Sequence, residues 1–147
     1  MFLHNWAVSG FFGMVADFEE VSLEEKEFNA TKCPANMFED DWLKNKAKMA
    51  VALEQYAGVN VLLASYVAGN YDGDAFVLFE KDGKLYEINA SHCSCHGLKG
   101  QWEPEETSVP ALRKRLTDGD LGKGDYTGNG FAAELGQVLD QIELTAE

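Results

Sequence analysis

Basic residues, cysteine and proline are all scarce in this chain, and no apolar run is long enough to cross a bilayer. Twelve Lys and Arg stand against 25 Asp and Glu, a formal net charge of −13 over 147 residues. A domain this acidic is repelled by nucleic acid and by anionic membrane surfaces, so neither is expected as a direct partner. Three cysteines are too few to staple a domain of this size, and an odd number strands one thiol, which predicts a reducing, cytoplasmic setting. The apolar start, residues 1–16, has no basic flank and no small-x-small cleavage site, and reads as a core-forming segment rather than a leader. There is no phosphate loop, dinucleotide-binding glycine pattern, serine nucleophile elbow or basic nucleic-acid stripe.

What is present is ordinary in bulk and uneven in charge. A 46 % hydrophobic chain of this length is expected to form one acidic domain over residues 1–147, with residues 1–30 a candidate peripheral element. Residues 1–41 hold nine acids and two bases, so the first quarter carries more than half of the excess charge. Those nine, Asp17, Glu19, Glu20, Glu24, Glu25, Glu27, Glu39, Asp40 and Asp41, are the candidate partner-binding residues. The complementary surface is basic, such as that of a protein built to hold DNA or RNA.

The expected fold is α+β, with a three-stranded antiparallel sheet (59–68, 74–80, 85–90) and helices at about 40–57, 104–116 and 131–144 packed on one face. Asp40 and Asp41 suit a helix N-terminus, and Trp42, Met49, Leu53 and Tyr56 recur at near-helical spacing. The Asp82-Gly83 pair between two apolar runs is a type I′ hairpin signal, since both central residues of that turn need positive φ. A two-residue loop there sets Phe79 opposite Tyr86, Val77 opposite Ile88 and Ala75 opposite Ala90, one wholly apolar face. The other face, with Phe76, Leu78 and Leu85 beside Glu87 and Asn89, is expected to be half covered. Pro110 fits only the first turn of its helix. Phe131, Leu135, Val138, Leu139 and Ile142 form one stripe of the last helix.

One short segment carries soft metal ligands: Ser91-His92-Cys93-Ser94-Cys95-His96. Zinc takes thiolate and imidazole in tetrahedral sites, and a turn at Ser94 would aim both thiols at one ion, with Cys33 or a histidine completing the set. The candidate metal ligands are thus Cys33, His92, Cys93, Cys95 and His96, and the cofactor is none or zinc. The spacing is Cys-x-Cys, whereas zinc knuckles usually space their cysteines two to four apart; the competing reading is small cysteines packed at a strand end. A thiolate activated by imidazole is the third reading, but no orienting acid or oxyanion element accompanies it, so no catalytic residue is assigned and the chain is expected not to be an enzyme. Asp72-Gly-Asp74 and Asp118-Gly-Asp120 lack calcium-loop spacing and read as turns. Arg113-Lys114-Arg115 reads as the solvated face of its helix. Trp102-Glu103-Pro104-Glu105-Glu106 reads as an acidic helix start with Trp102 packed beneath.

The stretch GDAFVLFEKDGKLYEINASHCSCHGL, followed by QWEPEET, resembles a group of small uncharacterised tailed-bacteriophage proteins that combine such a hairpin with a Ser-His-Cys-Ser-Cys segment and a Trp-x-Pro-Glu-Glu motif. The likeness covers residues 71 to about 116, roughly a third of the chain, and brings no activity with it. It implies a phage accessory protein in the cytoplasm of a bacterial host. With the charge, it leads to the expectation of an acidic nucleic-acid mimic that inhibits or redirects a host protein with a basic surface: a nuclease, an immune effector such as a CRISPR complex, or a transcription component. The alternatives are a small zinc-binding structural or virion-associated protein and a cysteine-dependent enzyme.

Overall fold

A computed structural model describes residues 3–4, 10–68, 72–93, 98–123 and 129–145. In chain order it contains β1 (Leu3–His4), α1 (Gly10–Glu19), α2 (Glu25–Phe28), α3 (Glu39–Gln55), β2 (Asn60–Ala68), β3 (Asp72–Lys81), β4 (Lys84–Cys93), β5 (Glu105–Thr107), α4 (Val109–Asp118) and α5 (Ala132–Thr145). The α+β class holds. The antiparallel sheet has four strands, β2-β3-β4-β5, rather than three, and the two-residue β1 adds parallel to β2 at its edge.

The hairpin forms as its turn chemistry dictates. Asp82 and Gly83 have φ of 54° and 78°, and the register pairs Phe79 with Tyr86, Val77 with Ile88 and Ala75 with Ala90. On the next ladder the pairing jumps from Val61↔Phe79 to Leu63↔Leu78, a bulge at Leu62. The extra residue reverses the alternation of β2. Val61 and Ala64, three apart, therefore share one core, while Leu63 enters the other.

That second core corrects the expectation of helices on one face. One side of the sheet (Ala64, Ala75, Val77, Phe79, Ile88, Ala90) packs under α1 and α3 through Met14, Val15, Phe18, Trp42, Met49 and Ala52. The other side buries Leu63, Phe76 and Leu78 against Leu112 of α4 and Phe131, Leu135 and Leu139 from α5 and its approach. Phe76 and Phe131 stack with centroids 4.6 Å apart. On the face expected to be half covered, Phe76, Leu78 and Glu87 are buried, Leu85 is partly buried and Asn89 stays exposed. Residues 1–30 are not peripheral throughout: α1 contributes Met14 and Val15, both fully buried, in line with a core-forming start.

The helix expected at 104–116 begins later. Residues 105–107 extend the sheet beyond β4, and Ser108 caps α4 by accepting a hydrogen bond from the Ala111 N–H at 3.2 Å, with Pro110 inside the first turn. Trp102 does not lie beneath that helix. It packs on the α1–α3 side, 4.4 Å from the Tyr56 ring and 5.3 Å from Phe79, centroid to centroid. No helix among the described residues is long and apolar enough to cross a membrane.

Candidate functional site: an acidic shoulder with an apolar helix face

The nine candidate acids divide into two groups once placed. Three are partly buried. Glu19 accepts a hydrogen bond from the Tyr56 hydroxyl at 3.2 Å, and burial, reinforced by the Glu19 charge, pushes that phenol far above its ordinary range. Glu27 reaches back to the Glu24 N–H at 2.9 Å, one half of a capping box on α2. Asp17 is partly buried, and its charge adds to burial in raising the Tyr66 phenol.

The other six, Glu20, Glu24, Glu25, Glu39, Asp40 and Asp41, are exposed. Glu24 meets Lys26 at 3.3 Å and Glu20 lies 3.9 Å from Lys99, both open surface pairs of small energetic weight. Glu25, Glu39, Asp40 and Asp41 make no ion pair among the described residues. Glu39, Asp40 and Asp41 form the first turn of α3, where the helix dipole favours them, so their clustering has a local cause as well as a surface consequence.

The inner face of α3 is the stripe read from sequence, with Trp42, Met49 and Tyr56 buried and Leu53 partly so. Trp42 is fixed by its indole N–H donating to the Glu27 carbonyl at 2.9 Å, which ties α2 to α3. The outer face is where sequence reading fell short. Leu43, Ala47, Ala50 and Val51 are all exposed, Leu43 by 50 % and Val51 by 56 %. They recur at i, i+4, i+7 and i+8, the same helical periodicity as the inner stripe, so the helix is apolar on two faces. Phe38, immediately before α3, is 81 % exposed. Two of the helix's lysines are drawn off the outer face: Lys46 donates to the Ala30 carbonyl at 3.1 Å and lies over the Trp42 ring, and Lys48 donates to the Glu20 carbonyl at 3.3 Å.

The candidate metal ligands are only partly placed. Cys95 and His96 lie outside the described residues. Cys93 ends β4 opposite Asp72 in the register, and its side chain is not described. His92 Nε2 is 2.6 Å from the Tyr66 hydroxyl, and its ring rests on Gly73, where an added Cβ would stand 2.2 Å from Nε2. Cys33 sits in the loop before α3, its thiol directed at the carbonyls of Pro34 (3.5 Å) and Met37 (3.4 Å); burial, with Glu39 adding, pushes it above the ordinary thiol range. Among the described residues no three His, Cys, Asp or Glu side chains converge to hold an ion.

The basic run in α4 is not simply solvated. Arg113 bridges to Asp140 (2.6 Å) and Glu143 (2.7 Å) of α5. Arg115 meets Glu87 at 2.5 Å, and Glu87 is nearly buried. Burial pushes the Glu87 carboxyl up, but hydrogen bonds from Arg115, Thr107 and Asn89 outweigh it and hold the group below the ordinary carboxylate range. A second polar clamp holds Asn129, which is buried, accepts from the Ser65 hydroxyl and donates to the Asp74 carbonyl at 3.0 Å. Both clamps belong to the architecture.

No protein-family model matches this chain, and comparison with curated proteins and with solved structures finds no match.

Proposed function

We propose that this chain is a non-enzymatic interaction protein that binds a basic, nucleic-acid-handling protein through its acidic shoulder, competing there with phosphates. The observation that carries the reading is the set Glu25, Glu39, Asp40 and Asp41: exposed carboxylates that make no ion pair among the described residues, on a chain of net charge −13. Carboxylates without an ion pair repel one another, which offsets part of what the helix dipole gives them. They raise the local negative potential that a phosphate-binding cleft of the partner recognises. The host-directed form of the proposal, a phage accessory protein acting on a bacterial nuclease, immune complex or transcription component, rests on the resemblance of residues 71–116 to phage proteins.

The test is affinity capture from bacterial lysate with elution by salt, followed by mass spectrometry and competition with DNA or RNA. The proposal expects a partner that is basic, elutes early in a salt gradient and is displaced by nucleic acid. Replacing Glu25, Glu39, Asp40 and Asp41 by their amides should lose it while leaving thermal stability nearly unchanged. A captured partner indifferent to both salt and nucleic acid argues against phosphate mimicry.

A further inference from the structure

Resting on that reading, we infer that the outer face of α3 is the centre of the contact, and that its occupant is an amphipathic helix of the partner with an apolar middle and Lys or Arg at both ends.

The buried residues Trp42, Met49 and Ala52 fix which side of α3 faces the core. At about 100° per residue, Leu43, Ala47, Ala50 and Val51 then cluster on the opposite side, and their exposure agrees with that placement. A solvent-facing helix surface normally carries charge or amide at such positions. Here successive turns of the helix present apolar side chains, with alanines in the middle flanked by Leu43 and Val51. Small residues at the middle allow a second helix to approach closely, while Leu43 and Val51 supply ridges for its grooves.

Charge selects the occupant. Glu39 and Asp40 fall at one end of the stripe and Glu54 at the other, all exposed. Asp40 and Glu54 are separated by about 21 Å at 1.5 Å rise per residue. Lys46 and Lys48 are held away by the carbonyls of Ala30 and Glu20, so of the lysines of α3 Lys44 alone borders the stripe. A second copy of this chain is disfavoured. Antiparallel pairing about Ala47 would set Asp40 against Glu54 twice, and parallel pairing would stack identical acids, between molecules that each carry −13. A partner helix with cations about 14 positions apart and an apolar ridge between them satisfies both ends and the middle together.

The test uses the full chain, isotopically labelled, and two synthetic helical peptides with the same Leu/Ala ridge, one ended by Lys and the other by Glu at matching positions. The Lys-ended peptide should shift the amide resonances of Leu43, Ala47, Ala50 and Val51, and bind at least about tenfold more tightly than the Glu-ended one. The double variant Leu43→Ser/Val51→Ser should weaken that binding by about tenfold or more while leaving the remaining amide spectrum in place, since both side chains are already exposed. Shifts mapping elsewhere, such as the groove between β2 and α5 lined by Asn60, Leu62, Gln137 and Gln141, would overturn the inference. So would equal binding of the two peptides, undiminished binding by the Ser variant, or concentration-dependent dimerisation in sedimentation. A Ser variant that still captures a basic partner in a salt-sensitive way overturns the α3 surface and leaves the acidic reading standing; loss of the partner's salt dependence refutes the acidic reading itself.

Discussion

Replacing Arg115 with Met removes the guanidinium that meets Glu87 across the sheet face. Glu87 Oε1 lies 2.5 Å from Arg115 Nη1 and accepts 2.7 Å from Asn89 Nδ2. Its side chain is 5 % exposed, against 43 % for Arg115. Removing one member of a fully buried pair costs about 3–5 kcal/mol, because the survivor is left charged and dry. Here water reaches the arginine side, and Asn89 and Thr107 continue to stabilise the carboxylate. The expected loss is therefore about 1.5–3 kcal/mol, the range for an imperfectly compensated charged group. For a domain of this size that is about 4–10 °C in Tm. Urea denaturation of the four members of a double-mutant cycle, with Glu87→Gln as the second change, isolates the pair. In the Arg115→Met background, Glu87→Gln should recover part of the loss, since a neutral amide is less costly to bury than an unpaired carboxylate. An Arg115→Met variant within about 0.5 kcal/mol of wild type, the scatter of inconsequential surface changes, would show that α4 is not clamped to the sheet by this bond.

Further expectations follow from the same geometry. Gly83→Val should cost about 1–3 kcal/mol in urea melts purely through backbone strain, because φ is 78° and nothing lies within 4 Å of an added Cβ; an unchanged midpoint would deny the type I′ turn. Gly73→Ala should push the His92 ring off the sheet and break its bond to Tyr66, whereas Tyr66→Phe breaks the bond and spares the ring position; identical His92 ring chemical shifts in Gly73→Ala and wild type would contradict the packing. Glu87 also sets part of the acid limb. Its carboxyl is depressed in the fold, so its contribution is fully present above the ordinary carboxylate pKa and is lost as pH falls through the lower native value. Glu87→Gln should accordingly flatten stability against pH below about 4.5, the ordinary carboxylate value, and an acid limb as steep as wild type would reject that assignment.

The hairpin was legible because one dipeptide, Asp82-Gly83, fixes both the turn and the register, and the register fixes a face. The inner stripe of α3 and the last helix were legible from periodicity. Strand β5 was not: Glu105-Glu106-Thr107 has no apolar alternation and is a strand only because β4 offers it an edge. Its acids read as a helix start, which displaced the expected boundary of α4 from 109 to 104. The second core was hidden by the bulge at Leu62, which reassigns Leu63 to the far face and cannot be seen as a break in an apolar run. The pair Glu87–Arg115 looked like two solvated charges because their 28-residue separation carries no local signal. At the candidate site, the nine acids were visible as a charge excess; the hold of Glu19 on Tyr56 emerged only from tertiary placement, whereas the capping of α2 by Glu27 is a contact three residues long that the charge excess obscured. The outer stripe of α3 was present in the sequence at helical spacing, masked by the stronger inner stripe.

Association kinetics test the central claim most directly. The partner recovered by capture is mixed with wild-type chain and with the Glu25→Gln/Glu39→Gln/Asp40→Asn/Asp41→Asn variant over roughly 50–500 mM salt, a range in which the screening length falls through about 10 Å. The acidic-shoulder account expects the wild-type association rate to drop by about tenfold or more across that range. The variant should start slow and stay nearly flat, with dissociation changed much less, since long-range attraction acts on encounter. Equal association rates for the two proteins at low salt, with the same salt dependence, would contradict it.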